Sequence, residues 1–101
     1  MALATRTSSD GRVVTIDISG RFDFSVYQEF RQVYEQAQDV ALQYIIDLRQ
    51  TDYMDSSALG MLLLLREHAG GDRASIKIVH CRPEVKKILT IANFHQLFHF
   101  D

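Results

Sequence analysis

With a single cysteine, Cys81, the chain cannot build an internal disulfide framework, a pattern that fits a reducing compartment. It has no apolar run near the roughly 20 residues needed to cross a bilayer. Its start, Met1-Ala2-Leu3-Ala4-Thr5-Arg6, lacks the long apolar core of a secretion signal. It has no excess of positive charge: the net charge is −2 and the pI about 6.0. No basic field therefore marks a nucleic-acid binder. The expectation is a cytoplasmic protein that takes neither a membrane nor a nucleic acid as partner.

Catalytic motifs are missing as well. A nucleophile elbow needs Gly-x-Ser-x-Gly, and Met54-Asp55-Ser56-Ser57-Ala58 lacks both glycines. There is no Gly-x-x-x-x-Gly-Lys-[Ser/Thr] loop for a nucleotide. His95 and His99 lie four apart but straddle the start of an expected strand, and His80 stands alone beside Cys81. A zinc site wants three or four ligands at consistent spacing. Cys81 follows alternating apolar residues and reads as a small buried hydrophobe. No enzyme activity, metal or cofactor is expected.

What is present suits one compact α/β domain over residues 1–101. The chain is 47% hydrophobic and 24% charged, enough for one core and too short for two. Leu3 to Thr7 and Val13 to Ser19 read as an antiparallel hairpin around Asp10-Gly11. In the second strand Val14, Ile16 and Ile18 share one face. Gly20 to Phe24 reads as a connector. Ser25 is expected to cap a helix, with Gln28 closing a capping box. Val26, Phe30, Val33, Tyr34 and Ala37 give that helix its apolar stripe, and it is expected to end near Asp39. Tyr44 to Leu48 reads as a central strand, apolar on both faces apart from Asp47, that is covered on both sides or lies deep in the sheet. Arg49 to Asp52 reads as a loop. Gly70-Gly71 ends the second helix. Ser75 to His80 is a further strand, with Ile76 and Ile78 inward. Pro83 opens a third helix, and Leu97 to Phe100 is a last strand. The order is β-β-α-β-α-β-α-β: a mixed, mostly parallel sheet of about five strands packed with three helices. The chain shows no internal repeats.

The stretch from Tyr44 to Gly71 organises the rest. A buried strand leads into Tyr53-Met54-Asp55-Ser56-Ser57-Ala58-Leu59-Gly60 and then into Met61 to Leu65. On a wheel of about 100° per residue, Ala58, Met61, Leu62, Leu65 and Ala69 form the core side. Ser56, Leu59, Gly60, Leu63, Arg66 and Glu67 fall opposite. Leu59 and Leu63 would then be partly exposed in line with Ser56, as a partner surface is. Helix capping alone explains an Asp-Ser-Ser start.

Four segments resemble the STAS domain, and in particular its anti-sigma factor antagonists. These are Gly20-Arg21-Phe22-Asp23, Ile45-Ile46-Asp47-Leu48, the Tyr53 to Gly60 stretch, and Pro83-Glu84-Val85-Lys86-Lys87-Ile88-Leu89. The resemblance spans essentially the whole chain. It implies that Ser56 is the serine phosphorylated by a partner kinase, often the anti-sigma factor itself. It implies that Asp55 places Ser56 and joins in docking, that Asp23 contacts the partner from the neighbouring loop, and that Ser57 is the helix cap. With Leu59, Gly60 and Leu63 these form the expected partner-binding set. The unphosphorylated form would bind an anti-sigma factor and free a sigma factor. Phosphorylation would end that binding, and a PP2C-type serine phosphatase would restore it. Some relatives serve motility or biofilm control through a diguanylate cyclase, and a ligand-binding or scaffold STAS domain is the other alternative. Ala58 stands where the family often has glycine, and Arg21 where an acidic residue is common.

Overall fold

A computed structural model describes residues 3–37 and 41–100. The expected helix end near Asp39 lies outside the described residues. The strands are β1 (Leu3–Thr7), β2 (Val13–Ile18), β3 (Gly20–Phe22), β4 (Gln43–Asp47), β5 (Thr51–Met54), β6 (Ile76–Val79) and β7 (His99–Phe100). The helices are α1 (Tyr27–Gln36), α2 (Ser56–His68) and α3 (Pro83–Ile91), with short 3-10 turns at Phe24–Val26, Gly71–Arg73 and Phe94–Gln96.

Five strands form the main sheet, in the order β1-β2-β4-β6-β7. β1 and β2 are antiparallel, and the remaining pairs are parallel, as the alternation of strands and helices requires. The hairpin turns at Ser8 to Gly11, where the Asp10 carboxylate accepts from the Ser8 hydroxyl and the Arg12 N–H. Val14, Ile16, Ile18, Tyr44, Ile46, Leu48, Ile76 and Ile78 are buried on one face. They join the buried side chains of all three helices in one core cluster. The other face is half-covered: Ile45 is partly exposed, and Asp47 lies 3.8 Å from the exposed Arg6 guanidinium. β4 therefore has full cover on one face only, and it lies at the middle of the sheet, between β2 and β6. Val79, which alternation puts on the face opposite Ile76 and Ile78, is also buried at the strand end.

α2 is held by Ala58, Met61, Leu62 and Leu65, buried at the i, i+3, i+4, i+7 spacing of a helix stripe. Burying a leucine such as Leu62 contributes about 1.5–3 kcal/mol. Gly70 and Gly71, at φ 118° and 62°, take the left-handed turn that stops the helix.

The sequence reading of residues 20–22 as connector and 51–52 as loop is corrected. β3 and β5 pair in parallel as a separate two-stranded sheet, with Phe22 opposite Met54. This small sheet is tied to the main one by the buried Thr51 hydroxyl, which donates to the Ile18 carbonyl at 2.7 Å. The Gly20 N–H also donates to the Gln50 carbonyl at 2.9 Å.

Candidate functional site

The small sheet ends in two helix starts set side by side. After Phe22 comes Asp23, and after Met54 comes Asp55, each in extended conformation (φ −142° and −127°). Each aspartate caps the turn that follows. One Asp23 oxygen accepts from both the N–H and the hydroxyl of Ser25. One Asp55 oxygen accepts from the N–H of Ser57 at 3.0 Å, the hydroxyl of Ser57 at 2.6 Å and the N–H of Ala58 at 3.2 Å. The Val26 N–H also donates to the Asp23 carbonyl, and the Ala58 N–H to the Asp55 carbonyl. The two segments are the same local structure, built on apolar-Asp-x-Ser.

This settles which residues cap. Ser25 was the expected cap of the first helix, but Asp23, two residues earlier, takes that role for the 3-10 turn. α1 itself begins after Val26 with no side-chain cap. Ser57 was the expected cap of α2. Instead it is half-buried, donating to Asp55, which is the cap. A carboxylate accepts more bonds than a hydroxyl and favours the positive end of a helix.

The electrostatics follow from these bonds. The Ser57 hydroxyl, with the Ala58 and Ser57 N–H groups, holds the Asp55 carboxyl below its ordinary pKa, against partial desolvation and the like charge of Asp23. The Ser25 hydroxyl and N–H, and then Arg21, lower Asp23 in the same way. Both are ionised at neutral pH. Arg21 bridges Asp23 at 3.2 Å, and its guanidinium carbon sits 3.7 Å from the centre of the Tyr53 ring.

Ser56 is the exposed first residue of α2, and its hydroxyl bonds to no other described residue. Leu59 is half-buried against the core, whereas Leu63 is 42% exposed. Gly60 is exposed, and a Cβ added there would meet nothing within 4 Å. The expected set of Asp23, Asp55, Ser56, Ser57, Leu59, Gly60 and Leu63 thus lies on the two neighbouring helix starts and the first turns of α2. Ala58 points into the core.

Three neighbours escaped the sequence reading. Phe24, 65% exposed, occupies in the first cap the position Ser56 holds in the second, and stacks on Tyr27 at 5.0 Å. Leu64, 49% exposed, lies between the two faces of the wheel and belongs to neither set. Tyr53 carries Arg21. The signal for the first was in plain view: Phe22-Asp23-Phe24-Ser25 and Met54-Asp55-Ser56-Ser57 share one pattern.

Other reactive groups stay apart. Among the described residues no three His, Cys, Asp or Glu side chains gather as a metal site. Burial pushes the Cys81 thiol up to about 11, as in an inert packing residue. No described helix is long and apolar enough to cross a membrane.

Comparison with known proteins agrees with this geometry. The family model described as Mlab, STAS domain matches residues 5–99. A STAS-domain containing protein of Pseudomonas aeruginosa (strain UCBPP-PA14) is 55% identical over 98 residues, 97% of either chain. The phosphorylated form of SpoIIAA, a Bacillus cell fate determinant, superposes with a TM-score of 0.77 at 17% identity, over 99% of this chain and 91% of that one. An anti-sigma factor antagonist from Mycobacterium paratuberculosis gives 0.79 at 17% identity, over 97% and 82%. At such identities these two structures share the fold. The five-stranded mixed sheet, the three helices and the family match lead to one conclusion: the chain belongs to the STAS domain family.

Proposed function

We propose that the protein is a phosphorylation-controlled antagonist of an anti-sigma factor, with Ser56 as the phosphate acceptor. One observation carries this reading: Asp55 and Ser57 both take part in the cap, while Ser56 between them is exposed and makes no hydrogen bond to a described residue. Capping accounts for its neighbours and leaves Ser56 unexplained by the fold. Gly60 points the same way. A glycine inside a helix costs roughly 0.5–1 kcal/mol relative to alanine. Nothing among the described residues requires its missing Cβ, so close approach from outside is its natural use.

The physics separates folding from docking. A phosphoserine carries about −1.5 to −2 charges. At the start of α2 the helix dipole favours it by about 0.3–1 kcal/mol. Docking would press the same charge against Asp55 and the exposed leucines, where burying an unpaired charge costs several kcal/mol. The fold tolerates the phosphate and the interface does not. The partners are an anti-sigma factor acting as serine kinase and a PP2C-type phosphatase, met in the cytoplasm. The chain itself performs no catalysis in this scheme. Structural neighbours that are an anti-sigma factor antagonist and a phosphorylated cell fate determinant support it.

The test is peptide mass spectrometry on protein purified from its own host, paired with a pull-down of wild type against Ser56→Asp. Phosphate on Ser56, with partners kept by the wild type alone, is the expected result. It also tells a sigma-factor circuit from one that ends in a diguanylate cyclase. An unmodified Ser56 with the same partners on both forms would redirect the function to ligand binding or scaffolding.

A further inference from the structure

Around the two caps, charge is unbalanced. Asp23 and Asp55 stand close enough for the charge of one to act on the other. Among the described residues Arg21 is the one cation in ion-pair contact with either of them, and it reaches only Asp23. That contact uses Nε and a single carboxylate oxygen. The guanidinium is mostly exposed and rests on the Tyr53 ring, so burial does not restrain it. Asp23 does not depend on it, because the Ser25 hydroxyl and N–H remain its first partners.

Tyr53 and Ser56 are three residues apart, which limits their Cα separation to about 10–11 Å even in extended chain. The turn into α2 shortens it. β3 and β5 lie side by side, so Arg21 projects from the strand adjacent to the one that delivers Ser56. The position in the first turn equivalent to Ser56 is held by Phe24, whose side chain offers no donor.

Resting on the reading of Ser56 as phosphate acceptor, we propose that Arg21 is the phosphate-binding residue of the modified protein. It exchanges its single bond to Asp23 for a bidentate pair with the phosphoserine at position 56. Three phosphate oxygens of higher charge outcompete one carboxylate oxygen for a fork of N–H donors. The exchange lifts Arg21 off Tyr53 and returns Asp23 to its serine. Phosphorylation then acts twice on the docking face: it adds a dianion at Ser56, and it withdraws the Arg21 guanidinium from Asp23.

The experiment uses the full chain with phosphoserine genetically encoded at position 56, so no kinase is needed. Phosphorus NMR titration reads the second ionisation of the phosphate, ordinarily near pH 6. A held guanidinium favours the dianion and lowers this midpoint. Arg21→Gln should raise it by at least about half a pH unit relative to wild-type Arg21. Arg12→Gln, the same change of net charge at the opposite end of β2, should leave it in place. The Arg21 Nε–H resonance should also move when phosphate is installed. Equal midpoints for Arg21→Gln and wild type, with an unmoved Nε–H, would overturn the proposal. That result would leave the proposed function standing, whereas absence of phosphate from Ser56 in the host would remove that function without altering this titration.

Discussion

Asp23-Phe24-Ser25 and Asp55-Ser56-Ser57 adopt one local structure, but they do not carry the same middle residue. In both, the aspartate caps and the second residue after it donates back. In both, the middle side chain points to solvent. Phenylalanine, stacked on Tyr27, and serine both fill that position, so the cap sets no requirement there. The comparison isolates Ser56 from the two residues that flank it, which the local sequence alone could not do.

The largest expected effect lies at that free position. Ser56→Asp should weaken partner binding by at least about 100-fold, near 2.7 kcal/mol, while the Tm stays within about 2 °C. Titration calorimetry beside a thermal melt reads both. A large loss of Tm would mean that the middle position is not free in the second cap. Leu63→Glu and Gly60→Ala come next, each expected to reduce affinity about tenfold. Gly60→Ala should also raise stability by roughly 0.5–1 kcal/mol, since no neighbour opposes the new methyl. A fall in stability instead would show that Gly60 serves the fold.

Smaller effects concern the caps themselves. Asp55→Ala should lower the Tm by roughly 4–8 °C. Asp23→Ala should lower it less, because it caps a single 3-10 turn. Both carboxyls lie below their ordinary value of 3.8 when folded. Their contribution is therefore complete above that pH and is lost as pH falls through the lower folded values. Unfolding curves at neutral and strongly acidic pH should converge for Asp55→Ala and wild type at the acidic end. The smallest change is expected for Phe24→Ser, which makes the first cap a copy of the second. Its Tm should fall by a few °C at most, through loss of the Phe24 stack on Tyr27, and a drop larger than that of Asp55→Ala would break the equivalence of the two turns.

β2 and the helices were legible because their signals are long, whereas the last strand, expected over Leu97 to Phe100, is confined to His99–Phe100. Alternation over Val13 to Ile18 and the stripe through Ala58, Met61, Leu62 and Leu65 each repeat several times. β3 and β5 were not legible. Three and four residues are too few for a period, and Thr51 is buried by a bond to a strand more than thirty residues away. The cap residues were confused for a related reason. Asp and Ser are both good caps, and the choice depends on where the preceding strand ends, which only the β3–β5 pairing fixes. The exposure of Leu63 came from the wheel, and the resemblance to STAS domains supplied the role assigned to Ser56. Arg21 on Tyr53 left no local trace, since its two partners meet only across the small sheet.

That pairing has a consequence for recognition. The surface around Ser56 is a discontinuous epitope, assembled from two segments that are distant in the chain and adjacent only when β3 and β5 have joined. A linear peptide from Tyr53 to Leu63 carries the serine but lacks Asp23, Arg21 and Phe24. An enzyme that reads both turns would ignore such a peptide, and equally a nascent or damaged chain. Under the proposed function, the placing of the serine would make its modification conditional on a completed fold, so that misfolded copies would stay silent.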